Sequence, residues 1–338
     1  MNSQNQKTNE SAMQETAGKI RLSYKVNDVP AAFENLSEKG EKETFTNLPE
    51  KERKESEHIQ GYTQYEENGT YRYFFTLNAN GHGYLLKTTK DGQSAQIEIH
   101  KDWSHPGGIQ AIGTKLLIPC EKDDKSKIFV YDIEKAKMVC DSEDNAAGIK
   151  YRDSNGEIKD TFPHKAGCVG ITDFKLNGDD CYLLIVLAIW TDGTATKSVC
   201  NGYIAKIMSE DIMEHTFVKI GDFFLKDKDG NVNIALDCQG IGLVTDTNNK
   251  VYLVALHSVS YLFSYKDLAF LFEITATEQS LGAEQVDKKH FTSKGDSGLY
   301  GTHFRWGTGI HITPKGNLVL HATSRNIDDE ELNTNDWK

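Results

Sequence analysis

The chain has 338 residues, 38% of them hydrophobic, with 14 Tyr and 15 Phe, which is enough to bury a core and too much for a disordered chain. Its 50 acids against 38 bases give a net charge of −12, which repels phosphate backbones and anionic bilayers, and acids surround the one basic run, Lys51-Glu52-Arg53-Lys54; no nucleic-acid partner is expected. No run of 18 apolar residues exists to span a membrane, and Met1 to Glu10 has no apolar leader, which points to a cytoplasmic protein or one exported by another route.

Residues 1–16 are polar and are expected to be disordered. Residues 17–56 hold an alternating strand, Ile20 to Val26, and then a charged linker with a short helix near Ala31 to Leu36. From His58 the chain reads as strands and turns.

A motif recurs through that region. Gln60-Gly61-Tyr62-Thr63 resembles Gly107-Gly108-Ile109-Gln110, Gly167-Cys168-Val169-Gly170, Gln239-Gly240-Ile241-Gly242 and Thr308-Gly309-Ile310-His311. The second column is always small: Gly61, Gly108, Cys168, Gly240, Gly309. Their spacings of 47, 60, 72 and 69 residues suit propeller blades of ~40–50 residues carrying insertions. After each motif comes a near-continuous apolar strand: Tyr71 to Leu77, Lys115 to Cys120, Tyr182 to Ala188, Val251 to Leu256 and Leu318 to Ala322. Strands of that kind are buried on both faces. A third strand follows in four units, at Gly83 to Leu86, Ile128 to Ile133, Gly202 to Ile207 and Phe270 to Ile274. A thin antiparallel sheet cannot bury both faces alone, and radial stacking solves the problem. The expected fold is therefore an all-β propeller of five blades over residues 57–327. The fifth unit looks truncated, so the strand Ile20 to Val26 is expected to close the ring, leaving 328–338 as a polar tail.

The small column has a mechanical reading, because innermost strands crowd an axis where only small residues permit close backbone approach. The six cysteines (Cys120, Cys140, Cys168, Cys181, Cys200, Cys238) include no CxxC pair and are read as buried free thiols rather than disulfides.

In a propeller the loops entering the inner strands share one face with those leaving the second strands. Three residues before the small column stand His58, His105, Lys165, Asp237 and Trp306; Arg305 adjoins them, and Asn78, Asn80, Glu121, His257 and Arg325 lie at second-strand exits. The candidate ligand-binding set is His58, His105, Glu121, Asp237, Arg305 and Trp306. In that set Arg305 would pair with a carboxylate or phosphate and Trp306 would stack. A second reading puts a metal on His58, His105 and Asp237 or Glu121, and a third has the histidines only locking blades together. A hydrolase would need two carboxylates across a bond, with Asp173, Glu121 and Asp237 as candidates by position. No catalytic residue is assigned, and no metal or cofactor is expected. GxSxG and the P-loop are absent. Asp227 to Asn233 lacks the bidentate Glu of a calcium loop and reads as a turn. The expected partner is a polar small molecule, a carbohydrate or a protein, with a sugar or phosphoester hydrolase and a scaffold as alternatives.

His58-Ile59-Gln60-Gly61, the block from His105 to Gln110 and His303-Phe304-Arg305-Trp306-Gly307 resemble motifs of poorly characterised bacterial β-propeller-like proteins. The resemblance covers roughly residues 57–327 and implies the propeller fold but no activity. The third unit departs from the pattern, with Lys165 and Cys168 where His and Gly are expected.

Overall fold

The computed structural model describes residues 23–49, 58–142, 145–192, 195–230, 238–261, 264–294 and 301–338. The expected disordered segment 1–16 lies outside them.

Five antiparallel four-stranded sheets make a five-bladed β-propeller. Blade 1 runs Ile59–Glu67, Thr70–Ala79, His82–Thr88 and Ala95–Glu98 from axis to rim. Blade 3 runs Lys165–Leu176, Asp179–Asp192, Ala195–Lys206 and Thr216–Phe223, and blade 4 runs Cys238–Thr245, Val251–Tyr261, Ser264–Ala276 and Leu281–Phe291. In blade 2 the inner strand is broken into Ser104–Pro106 and Gln110–Ile112, followed by Lys115–Lys122, Lys125–Asp132 and Lys137–Met138. Asn68-Gly69 and Asn177-Gly178 turn the chain between the first two strands of blades 1 and 3, both residues of each pair lying at positive φ. That is the two-residue hairpin geometry that Asn-Gly favours.

Blade 5 consists of His303–Ile312, Leu318–Thr323 and Leu332–Trp337, and its rim strand is Glu41–Phe45 from the other end of the chain. An N-terminal strand does close the ring, but it is not Ile20 to Val26. Residues 20–22 lie outside the described set, and Val26 forms a parallel bridge to Asp246 of blade 4. Nor is 328–338 a polar tail: Leu332–Trp337 is the third strand of blade 5, and Trp337 is fully buried. The helix is Val29–Glu34, with Asp28 accepting from the Ala31 N–H at 3.0 Å as N-cap. It presses Val29 and Phe33 into the seam of blades 4 and 5. Leu281–Phe291, in the segment 275–300, is blade 4's rim strand, whereas the insertion 141–162 bridges blades. There Lys150–Arg152 extends blade 3 and Thr161–Pro163 pairs with blade 2.

Each of the five seams between blades has its own apolar cluster. Every buried Leu, Ile or Phe in them contributes about 1.5–3 kcal/mol. The small column does ring the axis. Gly61 bridges to Thr308 and Gly108 to Cys168, and a Cβ on Gly108 would stand 2.6 Å from the Gln239 carbonyl oxygen of blade 4. Gln110 completes this hub. Its amide oxygen accepts from the Ile171 and Leu243 N–H groups at 2.8 and 2.9 Å, and its Nε2 donates to the Leu243 carbonyl at 2.8 Å. All six cysteines are free thiols, and only Cys140 is exposed.

Candidate functional site

Every inner strand carries a register irregularity just before its small residue. Bulges re-aim side chains at rims and sites, and here they do so on the front face, where the inner strands begin. In blade 2 the extra residue is His105. Ser104 pairs with Glu121 and Pro106 with Cys120, so His105 is squeezed out between them. It holds φ +46, a left-handed conformation that costs a non-glycine residue energy and concentrates at functional sites.

The ejected imidazole lies over Glu121, with Nδ1 3.4 Å from Oε2. Its Nε2 is 3.1 Å from Gln60 Nε2. The amide N–H donates there, so Nε2 accepts and the ring proton sits on Nδ1, facing the carboxylate. Lys165 Nζ approaches Glu121 Oε2 from blade 3 at 3.6 Å. The Glu121 side chain is 11% exposed, but those of Lys165 and His105 are about half exposed. Solvent screens such contacts to about 0–1 kcal/mol apiece. These groups hold one another weakly and are available to a ligand. Together with Asn78, Ser104 and Asp123 they line a hollow of about 340 Å³, every lining residue carrying a polar side chain. The Asn78 amide oxygen is buried there without a hydrogen-bond partner.

Of the sequence candidates, His105 and Glu121 meet in this hollow, while His58, Trp306 and Arg305 are not among its lining residues. Trp306 lies in the long bulge of blade 5, where the register steps from His303 to Thr308. It is buried, with its ring edge-on to His58 and Tyr265 at 5.2 and 5.9 Å and the Arg325 guanidinium 5.2 Å from its centroid. The cation beside the indole is thus Arg325, and the half-buried Arg305 is its chain neighbour. Asp237 lies outside the described residues. Asp173 is on the opposite face, where it accepts from the Ser23 N–H at 2.7 Å and pairs with Lys25 at 2.6 Å, so it does not belong to a front-face hydrolytic pair. Among the described residues, no three His, Cys, Asp or Glu side chains converge as a metal-ligand set. Ser104 and Asp123 escaped the sequence reading. The signal for Asp123 was present in the Lys122 to Lys125 hairpin, which leaves the same second strand as Glu121.

Away from the hollow, Asp132, Asp153 and Asp336 have their pKa values pushed down. Burial is the largest influence on Asp132 and on Asp336 and opposes ionisation of both, but it is outweighed by the combined hydrogen bonds and charges of Lys115 and Lys135 at Asp132 and of His321, Gln64 and Lys338 at Asp336; at Asp153 the hydrogen bond from Lys159 dominates.

No protein-family model matches the chain, and no curated protein does. The chain is similar, at low identity, to several solved structures. The catalytic domain of the Coprinopsis cinerea GH62 α-L-arabinofuranosidase is 9% identical, with 90% of this chain and 96% of that one covered and a TM-score of 0.48. A GH43_1 enzyme from Xanthomonas citri is 9% identical over 91% and 92% of the chains, with a TM-score of 0.44. A thermostable family-43 glycoside hydrolase is 12% identical over 86% and 91%, with a TM-score of 0.40.

Proposed function

We propose that the front-face hollow binds a polyhydroxylated, carbohydrate-like ligand, with Asn78, His105, Glu121 and Lys165 as its hydrogen-bonding groups. The observation that carries this is the composition of the wall. Asn78, Ser104, His105, Glu121, Asp123 and Lys165 offer donors and acceptors on every side, and one acceptor, on Asn78, is buried and unsatisfied. A buried unpaired polar atom costs about 1–3 kcal/mol, and a ligand hydroxyl would remove that cost. A volume of about 340 Å³ falls at the lower end of small-molecule sites, which suits one or two sugar rings.

A second reading, glycoside hydrolysis, is favoured by the two carboxylates in one hollow, Glu121 and Asp123. Glu121, faced by Lys165 and His105, would serve as base or nucleophile. Asp123, exposed in the hairpin turn that follows Glu121, would be the second carboxylate.

Calorimetric titration with a panel of neutral oligosaccharides tests the first reading. Saturable binding that Glu121→Gln and His105→Ala each weaken about tenfold is expected; no binding across the panel refutes it. Reducing-sugar release that Glu121→Gln and Asp123→Asn abolish supports hydrolysis, and binding without release removes it.

A further inference from the structure

The rear of the ring, where the inner strands end, holds a larger cavity, about 450 Å³. All five blades contribute to it. The position two residues past the small column carries Thr63, Gln110, Gly170, Gly242 and His311, and the three of these that have side chains line the cavity. Tyr24, from the chain crossing the rear face toward blade 4, adds a partly exposed aromatic wall.

The polar side chains of the cavity are mostly spoken for. Thr63 Oγ1 donates to the Ile310 carbonyl at 2.9 Å, Thr172 and Thr245 share a hydrogen bond of 2.8 Å, and Gln110 is committed to blades 3 and 4. His311 is the exception. Its Nδ1 is 3.1 Å from His321 Nε2, and His321 Nδ1 is 2.7 Å from Asp336 Oδ1. Gln64 Nε2 donates to the other Asp336 oxygen at 2.8 Å. This carboxylate–imidazole–imidazole chain ends at His311 Nε2, which is buried and has no partner. The residue is only 8% exposed. Such an orphan atom in a native interior calls for an explanation, and an absent ligand is one.

We infer that the rear cavity is a second binding site, for a neutral polyhydroxylated ligand, in which His311 Nε2 makes the buried hydrogen bond. The chemistry of the wall selects this class. A hydroxyl can donate to an imidazole lone pair or accept from an imidazole N–H, so it satisfies His311 in either tautomer; a carboxylate or an ammonium satisfies only one. Glu66 and Glu67 line the same cavity and repel anions. Leu243, Val244 and Ile310 supply an apolar floor for the C–H face of a ring. The site lies across the ring from the front-face hollow and does not depend on it.

The test is NMR of the uniformly 15N-labelled protein, following the His311 ring nitrogens during titration with D-glucose, D-xylose and L-arabinose. The expected result is a saturable shift of His311 Nε2 with at least one sugar. Followed through the backbone amide shifts of the cavity residues Gln110, Thr172, Leu243 and Ile310, which remain in every variant, that binding should weaken about tenfold in His311→Phe, as loss of one buried hydrogen bond predicts, while His105→Ala leaves it in place. His311→Gln, which keeps a polar group there, provides a second variant if the phenylalanine protein fails to fold. No shift with any sugar, a shift that never saturates, or binding that survives both His311 substitutions overturns the inference. Loss of binding in His105→Ala alone would assign the sugar to the front face instead.

Discussion

His311 should make the stability of this protein fall as the solution is acidified from neutral pH, and the size of the fall follows from its surroundings. Burial, and next the neighbouring His321, push its pKa from 6.5 down to about 3. Asp336 pulls the other way but is outweighed, and Lys338 adds a little to the depression. Unfolded, His311 takes up a proton below pH 6.5; folded, it does not until about pH 3. The unfolded chain therefore binds more protons across that window, and stability is lost as pH falls through it. Between pH 7.5 and pH 5 the loss is about 2 kcal/mol, since each pH unit well below the unfolded pKa costs about 1.36 kcal/mol. The pKa of Asp336 is lowered from 3.8, so it stays ionised in this range and adds nothing. Urea unfolding at the two pH values, on the native protein, His311→Phe and His311→Gln, isolates the effect, because the other titrating groups are common to all three. The variants should lose about 2 kcal/mol less than the native protein on acidification, whatever their stability at pH 7.5. If both variants keep the native protein's pH dependence, the histidine is not held neutral by this network and the reasoning fails.

Gly108→Ala should destabilise by about 3 kcal/mol in urea unfolding, because its Cβ would meet the Gln239 carbonyl oxygen at 2.6 Å and Cys168 Cβ at 2.8 Å, neither of which can swing aside. Gly282→Ala, with nothing within 4 Å, should stay within about 0.5 kcal/mol, and equal effects at both sites would remove the crowded-axis account. Trp337→Ala should cost about 3–5 kcal/mol, and removing residues 332–338 should abolish cooperative unfolding; a truncated chain that still melts as one unit contradicts the assignment of that strand to blade 5. With Ellman's reagent one thiol, Cys140, should react quickly in the folded protein. The others should react only on unfolding, because burial blocks access and raises the pKa of Cys120, Cys168, Cys181 and Cys200.

The repeat was legible because its cause is local and identical in every blade. An inner strand at the axis must be small at one position, and a second strand buried on both faces must be continuously apolar, so Gly61, Gly108, Cys168, Gly240 and Gly309 stood out together with the strands that follow them. The site was legible only as far as the same periodicity reached. Counting back from the small column found His105, and the second-strand exits gave Glu121. Periodicity is silent about bulges, however, and bulges decide where a side chain goes. The single extra residue of blade 2 ejects His105 onto Glu121. The longer one of blade 5 turns Trp306 inward against His58 and Tyr265 and away from the hollow.

The closing seam shows why blade 5 was misread. Leu332-Asn333-Thr334-Asn335-Asp336-Trp337 looks like a solvated tail on hydropathy alone, yet Thr334 and Asn335 are fully buried and Asp336 is 5% exposed. Polar residues can be interior only when their partners are interior too, and here the partners come from distant segments. Gln64 in blade 1 donates to Asp336, His321 in the next strand pairs with it, and the Lys294 N–H donates to Asn335 Oδ1 at 2.9 Å. The ring is joined by strands drawn from opposite ends of the chain, and an apolar contact alone would tolerate sliding there. A carboxylate bonded to both Gln64 and His321 does not, because a slip by one residue would leave a buried charge unpaired at a cost of about 3–5 kcal/mol. The polarity that disguises the last strand in the sequence is therefore also what fixes its register. Asp336→Leu should retain the blades yet lose the sharp, single unfolding transition that a unique closure gives, and an unchanged transition would show that the apolar half of the seam, Tyr62, Phe75 and Leu332, sets the register by itself.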